Sequence, residues 1–401
     1  MFSTIDFINR HKRKIAAGTV AAVATAYGAK RLMESTAFND FVRQPFSLLQ
    51  KTEDQQRDEC LVEERLKLMI EMNQQACDKI LYKIAVQLKV KLDQTFDTDS
   101  LLEELSTPEL DAKRKIEIWE RLKVLSLSKI FSAITIFSLV TIVLKAQRTI
   151  LCQIACTELL QNTKQGRNND ASSIYNDGIK LLKSFFYDDI ECSGEDIHQQ
   201  STTSKINLNK NVQIIFCDSI QYLLTEGLTS LLQLIEQICL QIFEKINLAE
   251  KFNFMDFHFL LEQTIAKIKK IGEEKNFSNF VVPREKLNLS ALNPVDRQNL
   301  ENLFSQLLLI LHSKHCRTLM DELINKYFDN ILKFLDDILI EGTSLQFAKL
   351  IPKICQLFGS IVSTNKNSIF CSALSSEELK QFVQFIMDGN LLEQNEGIFA
   401  N

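Results

Sequence analysis

The chain has 401 residues, a formal charge of -5, 45% hydrophobic and 24% charged residues. That length supports a sizeable core in one large or two medium domains, and the mildly acidic balance argues against a nucleic-acid partner. Helix breakers are scarce, with 11 glycines and 5 prolines, so long helices are expected. Ten cysteines follow no framework spacing and form no CxxC; the nearest pairs are Cys152/Cys156 and Cys355/Cys371. Cys239 and Cys355 sit inside apolar helical runs, where a free thiol behaves as a small hydrophobe. A reducing compartment fits this usage, which places the bulk of the chain in the cytosol.

At the N-terminus a basic cluster, Arg10, Lys12, Arg13 and Lys14, precedes an uncharged run over 15–29 that includes Ile15, Val20, Val23 and Tyr27. The run is about 15 residues long, against about 20 for a comfortable span. Leu32 and Met33 extend it if Lys30 and Arg31 snorkel. A secretory signal has the same layout, but the free cysteines argue against export, and the run lacks the charged face of an interfacial helix. A marginal membrane anchor over residues 1–40 is the reading adopted, with spanning and interfacial placements both open. The positive-inside rule would send the large domain across the membrane; the cysteines keep it in the cytosol.

Residues 38–50 read as a connector punctuated by Pro45. From Thr52 a helical pattern begins, carried by Leu61, Leu66, Met69, Ile70, Cys77, Ile80, Leu81, Ile84 and Leu88. Asp99-Ser100 signals the next start, with Glu103 as capping partner, and Thr107-Pro108 opens a helix expected to run to about Leu127. Residues 130–144 are the most apolar interior stretch. They are too short for an easy span and are interrupted by Ser132, Thr135, Ser138 and Thr141, so a buried bundle helix is expected. Polar stretches at 161–173 and 191–211 read as mobile loops flanking a short helix over 179–187. Further helices are expected over 212–246, interrupted only by Gly227, and over 260–271, 296–313, 318–340, 345–358 and 375–387. No strand-period alternation is visible. The fold class is all-α: one elongated helical bundle over 41–401 behind the anchor.

No phosphate-cradling glycine motif, HExxH or GxSxG is present. His312-Ser313-Lys314-His315-Cys316 is the one His/Cys cluster. Two histidines on one helix face suit a metal, but no second ligand pair stands nearby, so a partly exposed helix end is the reading and neither metal nor cofactor is expected. The single tryptophan, Trp119, shares a narrow helical wedge with Lys115, Leu122 and Ser126. Ile118 and Leu125 flank that wedge on one side, Ile116 and Leu127 on the other. The apolar arc covers about 200°, wider than a one-sided core stripe. Burial on two sides and an apolar groove for a partner helix both explain it. Lys115 shifts the balance toward the rim of a binding site, since lysine is rarely fully buried.

Three segments in order, 115–123 (KIEIWERLK), 222–232 (YLLTEGLTSLL) and 347–352 (FAKLIP), resemble segments of the peroxin 3 family, and the basic start before a short apolar run is similar too. The resemblance implies a non-enzymatic peroxisomal membrane protein whose cytosolic domain docks peroxin 19, the carrier of newly made peroxisomal membrane proteins. That partner's N-terminal amphipathic helix is implied to lie on Trp119, with Leu122 beside it and Lys115 at the edge. Leu105 is a looser match, and Ser126 completes the wedge. The same resemblance assigns the apolar helix over 135–151 to the groove. Implied partners are therefore peroxin 19, peroxisomal membrane lipids and, indirectly, membrane-protein cargo. Two other classes stay in view: a multi-span membrane protein using 130–144 and 212–246, and a helical enzyme of unidentified chemistry.

Overall fold

The structure, a computed structural model, describes residues 55–164, 209–275, 277–282, 292–339, 343–366 and 368–389. The anchor, the basic cluster, the connector, the 179–187 helix and most of both polar loops lie outside the described residues.

The architecture is built around one helix. Helix α1 spans Gln55–Thr95, α2 Thr98–Leu105 and α3 Ala112–Lys164. Then come α4 (Lys210–Tyr222), a π-turn (Leu223–Gly227) and α5 (Leu228–Phe243), which continue one another without a break. Strand β1 (Lys251–Phe252), α6 (Phe254–Lys275) and a 3-10 turn (Phe277–Phe280) follow. The remainder is α7 (Pro294–His312), α8 (Lys314–Ile338), β2 (Leu345–Gln346), α9 (Phe347–Ile361), α10 (Ile369–Leu374) and α11 (Glu377–Met387). The two short strands pair antiparallel, Lys251 opposite Gln346. They are too short to leave a periodic signal in the sequence.

Helix α3 is a mast about 80 Å long at 1.5 Å per residue. Every residue from 122 to 152 is buried. The stretch is long and apolar enough to cross a membrane, yet it is enclosed by protein along its whole apolar window. No face is left for lipid, so 130–144 is the buried bundle helix expected and the multi-span reading fails there. Three of its four hydroxyls are satisfied internally: Thr135, Ser138 and Thr141 donate to the carbonyls of Phe131, Ile134 and Phe137 at 2.8, 2.8 and 2.7 Å, while the buried Ser132 hydroxyl has no hydrogen-bond partner among the described residues.

Helices α1 and α4–α5, on either side of it in the chain, run antiparallel to the mast. Asn73 of α1 donates to the Arg148 carbonyl, Asp78 meets Lys145 and Asp93 meets Lys129, so α1 runs antiparallel to α3. Gln147 donates to the Phe216 carbonyl while Lys123 reaches the Ile246 carbonyl, so α4–α5 is antiparallel too. The 3-10 turn packs against the π-turn where Gly227 lies; a Cβ there would overlap the Phe280 carbonyl oxygen. Burial pushes the thiols of Cys77, Cys239 and Cys316 up to about 11, 12 and 12, so these cysteines are inert core residues.

Several boundaries differ from the sequence reading. The cap of α2 is Asp97, whose carboxylate accepts from the Ser100 backbone N–H at 3.0 Å and from the Ser100 hydroxyl at 2.6 Å. Thr107-Pro108 does not open a helix: both residues lie in the turn between α2 and α3, a position that suits proline's fixed φ. The helices expected to end near Leu127 and to begin near Ile130 are one, because no breaker separates them. Helix α3 continues to Lys164, into the loop expected at 161–173. Helix α10, capped by the Ser368 side chain, was not anticipated.

Candidate docking face around Trp119

The first turns of α3 project beyond the core that encloses the rest of it. Residues 112–114 are exposed, Lys115 and Trp119 are half-buried, and Ile116 is 59% exposed. From Leu122 to Cys152 the helix is buried on all sides. The sequence-predicted wedge therefore sinks into the protein along its length. Lys115 and Trp119 stand at the surface, whereas Leu122 (0% exposed) and Ser126 (2%) are core. The Ser126 hydroxyl donates to the Lys123 carbonyl at 3.3 Å. Leu122 and Ser126 are thus not available for direct contact; Leu122 supports the helix beneath the exposed turns.

Helix α2 and the turn after it form the neighbouring wall. Arg114 pairs with Glu104 at 2.8 Å and reaches Glu117 at 3.5 Å, fastening the first turn of α3 to the last turn of α2. The Glu104 carboxylate hydrogen-bonds the guanidinium and raises the Arg114 pKa further above its ordinary value. Leu102, Leu105, Leu110 and Trp119 are all partly buried against the main core. The Arg114–Glu104 pair brings the end of α2, and with it Leu105, to the first turn of α3. The exposed Ile116, noted in the sequence only as a flank of the arc, is the apolar residue the wedge argument undervalued.

Just inside this corner lies Lys123, fully buried. Its ammonium meets Glu120 at 2.5 Å and donates to the carbonyls of Ile246 at 2.7 Å and Glu244 at 3.4 Å. Those carbonyls lie just past the C-terminal end of α5, where unpaired backbone acceptors favour a cation. Two more lysines of α3 are buried in the same way. Lys129 pairs with Asp93 at 2.7 Å and lies 4.5 Å from the Phe358 ring centroid; Lys145 pairs with Asp78 at 2.6 Å. None of these was singled out from the sequence: Glu120 is three residues from Lys123, but the Ile246 and Glu244 carbonyls, Asp93 and Asp78 lie far away along the chain.

The apolar helix over 135–151, assigned to the groove by resemblance, is wholly buried. It holds the face in place from within and offers no surface of its own. The His312/His315 pair is split by Ser313, whose extended backbone (ψ 153) ends α7 and caps α8. His315 stacks on Phe385 with ring centroids 4.1 Å apart, and His312 Nε2 lies 3.4 Å from the Ser278 hydroxyl. Among the described residues no group of three potential ligands is placed to hold a metal.

A family model described as Peroxin-3 matches residues 106–386, from the turn before α3 to the last turns of α11. The chain belongs to the Peroxin-3 family. Full-length relatives agree. Peroxisomal biogenesis factor 3 of Rattus norvegicus is 23% identical over 94% of both chains, and that of Bos taurus is 23% identical over 95% of both. The Homo sapiens protein of the same name is 22% identical over 95% of both. This peroxin-3 family member is therefore a peroxisome biogenesis factor built as a helical body. The antiparallel pairing of α1 and α3 fixes its polarity: Trp119 lies 29 residues along the mast from Arg148, about 45 Å away, whereas the early part of α1 lies beside Arg148.

Proposed function

We propose that this peroxin-3 family member is a docking receptor that recruits peroxin 19, loaded with newly made peroxisomal membrane proteins, to the peroxisomal membrane. The observation that carries the reading is the half-buried indole of Trp119 beside the 59% exposed Ile116, on a helix that is enclosed by protein from residue 122 to residue 152. An amphipathic helix recognises such a corner through apolar residues at three- and four-residue spacing. Trp119 is the central anchor, Ile116 and Leu105 extend the apolar contact, and Lys115 offers a charge at the edge that favours an acidic rim on the incoming helix. Glu104, Arg114 and Glu117 hold the wall. Leu122 and Ser126 act from below.

Recruitment makes and breaks no bond, so no cofactor enters. Residues 1–40 hold the receptor to the membrane and the helical body stands in the cytosol. The early part of α1 and the Trp119 corner lie at opposite ends of the mast. That polarity supports a receptor that catches its partner well clear of the bilayer and releases cargo toward it.

The placement is tested by titrating an N-terminal helical peptide of peroxin 19 onto the full chain in lipid nanodiscs. Ile116→Asp is expected to weaken binding about tenfold, roughly 1.4 kcal/mol, with the circular dichroism spectrum unchanged. Equal affinity would remove Ile116 from the contact; a wild-type chain that does not bind would sink the docking function.

A further inference from the structure

The described residues enclose a second apolar recess, away from the Trp119 corner. Leu139 and Ile142 of α3 form its floor, and Leu311, Met320 and Ile324 its sides. All five are buried. The cavity measures about 220 Å³. Leu139 lies twenty residues beyond Trp119 on α3, about 30 Å along the helix, so the two sites are separate.

One wall is the 3-10 turn, and two glycines seat it. A Cβ on Gly272 would overlap the Phe277 ring, and one on Gly227 would overlap the Phe280 carbonyl oxygen. Gly227 closes the π-turn, an irregularity found disproportionately at functional sites. Helix regularity and side-chain volume are both given up where this wall is formed.

The mouth is cationic. Lys269 is satisfied by Asp321 at 3.5 Å and by the Asn325 side chain at 3.0 Å. Arg317 is exposed at the rim. A buried apolar floor beneath an exposed guanidinium is complementary to an amphiphile with a carboxylate head. Guanidinium and carboxylate match geometrically, with two parallel hydrogen bonds.

We propose that this recess binds a free medium-chain fatty acid, its chain on the Leu139–Ile142 floor and its carboxylate on Arg317. An apolar cavity of about 150 Å³ admits the six carbons of benzene, so the volume here scales to a chain of about eight carbons.

The test uses the full chain in nanodiscs, carrying ¹³C-methyl label on its seven methionines, titrated with sodium octanoate. The Met320 methyl resonance is expected to shift and saturate with a midpoint below about 1 mM, while the exposed Met255 methyl stays put. Octylamine, with the same chain and the opposite charge, requires at least about tenfold more, and Arg317→Gln raises the octanoate midpoint about tenfold. Arg317 is exposed, so that variant keeps its fold. A Met320 resonance unmoved by octanoate at about 10 mM would overturn the proposal. So would equal response to octylamine, an unchanged midpoint in Arg317→Gln, or a parallel shift of Met255.

Discussion

Residues 112–121 and residues 122–152 belong to one unbroken helix, and both carry lysines and large apolar side chains, yet they meet different surroundings. The first stretch holds Lys115 and Trp119 half-buried and Ile116 exposed; the second buries Lys123, Lys129 and Lys145 with every residue around them. Composition follows the surroundings: six of the ten residues over 112–121 are charged, against four of the thirty-one over 122–152. Beyond residue 122 the lysines are structural, each neutralised by a carboxylate. Before it the same helix runs past its own core and leaves Ile116 exposed and Trp119 half-buried.

The comparison is sharpened most by deletion in the enclosed stretch. Phe137 is 2% exposed and packs edge-on against Phe370, with centroids 5.6 Å apart. Phe137→Ala is expected to cost about 4 kcal/mol of stability, read by chemical denaturation. A cost below about 1 kcal/mol would mean that the stretch is not core.

Next in size are the buried lysines. Asp78→Asn leaves the Lys145 ammonium enclosed without its counterion and is expected to destabilise by about 3 kcal/mol, whereas Lys145→Met, which removes the buried charge, is expected to be nearly neutral. If the two variants cost the same, the pair is not electrostatically buried. The smallest effect concerns Glu378, which pairs with Lys326 at 2.7 Å; that hydrogen bond holds its carboxyl below the ordinary 4.5. A depressed carboxylate pKa gives stability that is present above 4.5 and is lost as pH falls through the folded value. Both partners are more than a third exposed, so Glu378→Gln is expected to lose only about 0.5 kcal/mol at pH 7. The gap should close in acid; a gap that widens as pH falls would reverse the sign of the pairing.

Much of the body was legible because a 3.6-residue apolar period survives wherever one face is buried. That is why α1, α4–α5 and α8 fall where their periodicity places them. The middle of α3 has no such stripe, since it is buried all round, and only its length and apolarity identified it as core. The Thr107-Pro108 start misled because proline suits a turn as well as a first helical turn. The depth of the Trp119 wedge was not legible. A 200° arc fits two-sided burial and an exposed corner equally well, and both occur: Ile118 and Leu122 go inward while Ile116 stays out. The rule that lysine avoids burial weighed correctly for Lys115. It gave no hint of Lys123, whose carbonyl acceptors lie more than a hundred residues away.

The central claim is that α3 serves recognition only where it leaves its own core. The most direct test titrates the peroxin 19 helical peptide onto the full chain in nanodiscs and compares wild type with Trp119→Ala, with circular dichroism on both. The account predicts a loss of about 2 kcal/mol or more in binding, a factor of about 30, with the helical signal intact. Equal binding by the two proteins would make Trp119 a packing residue and contradict the placement of the docking face.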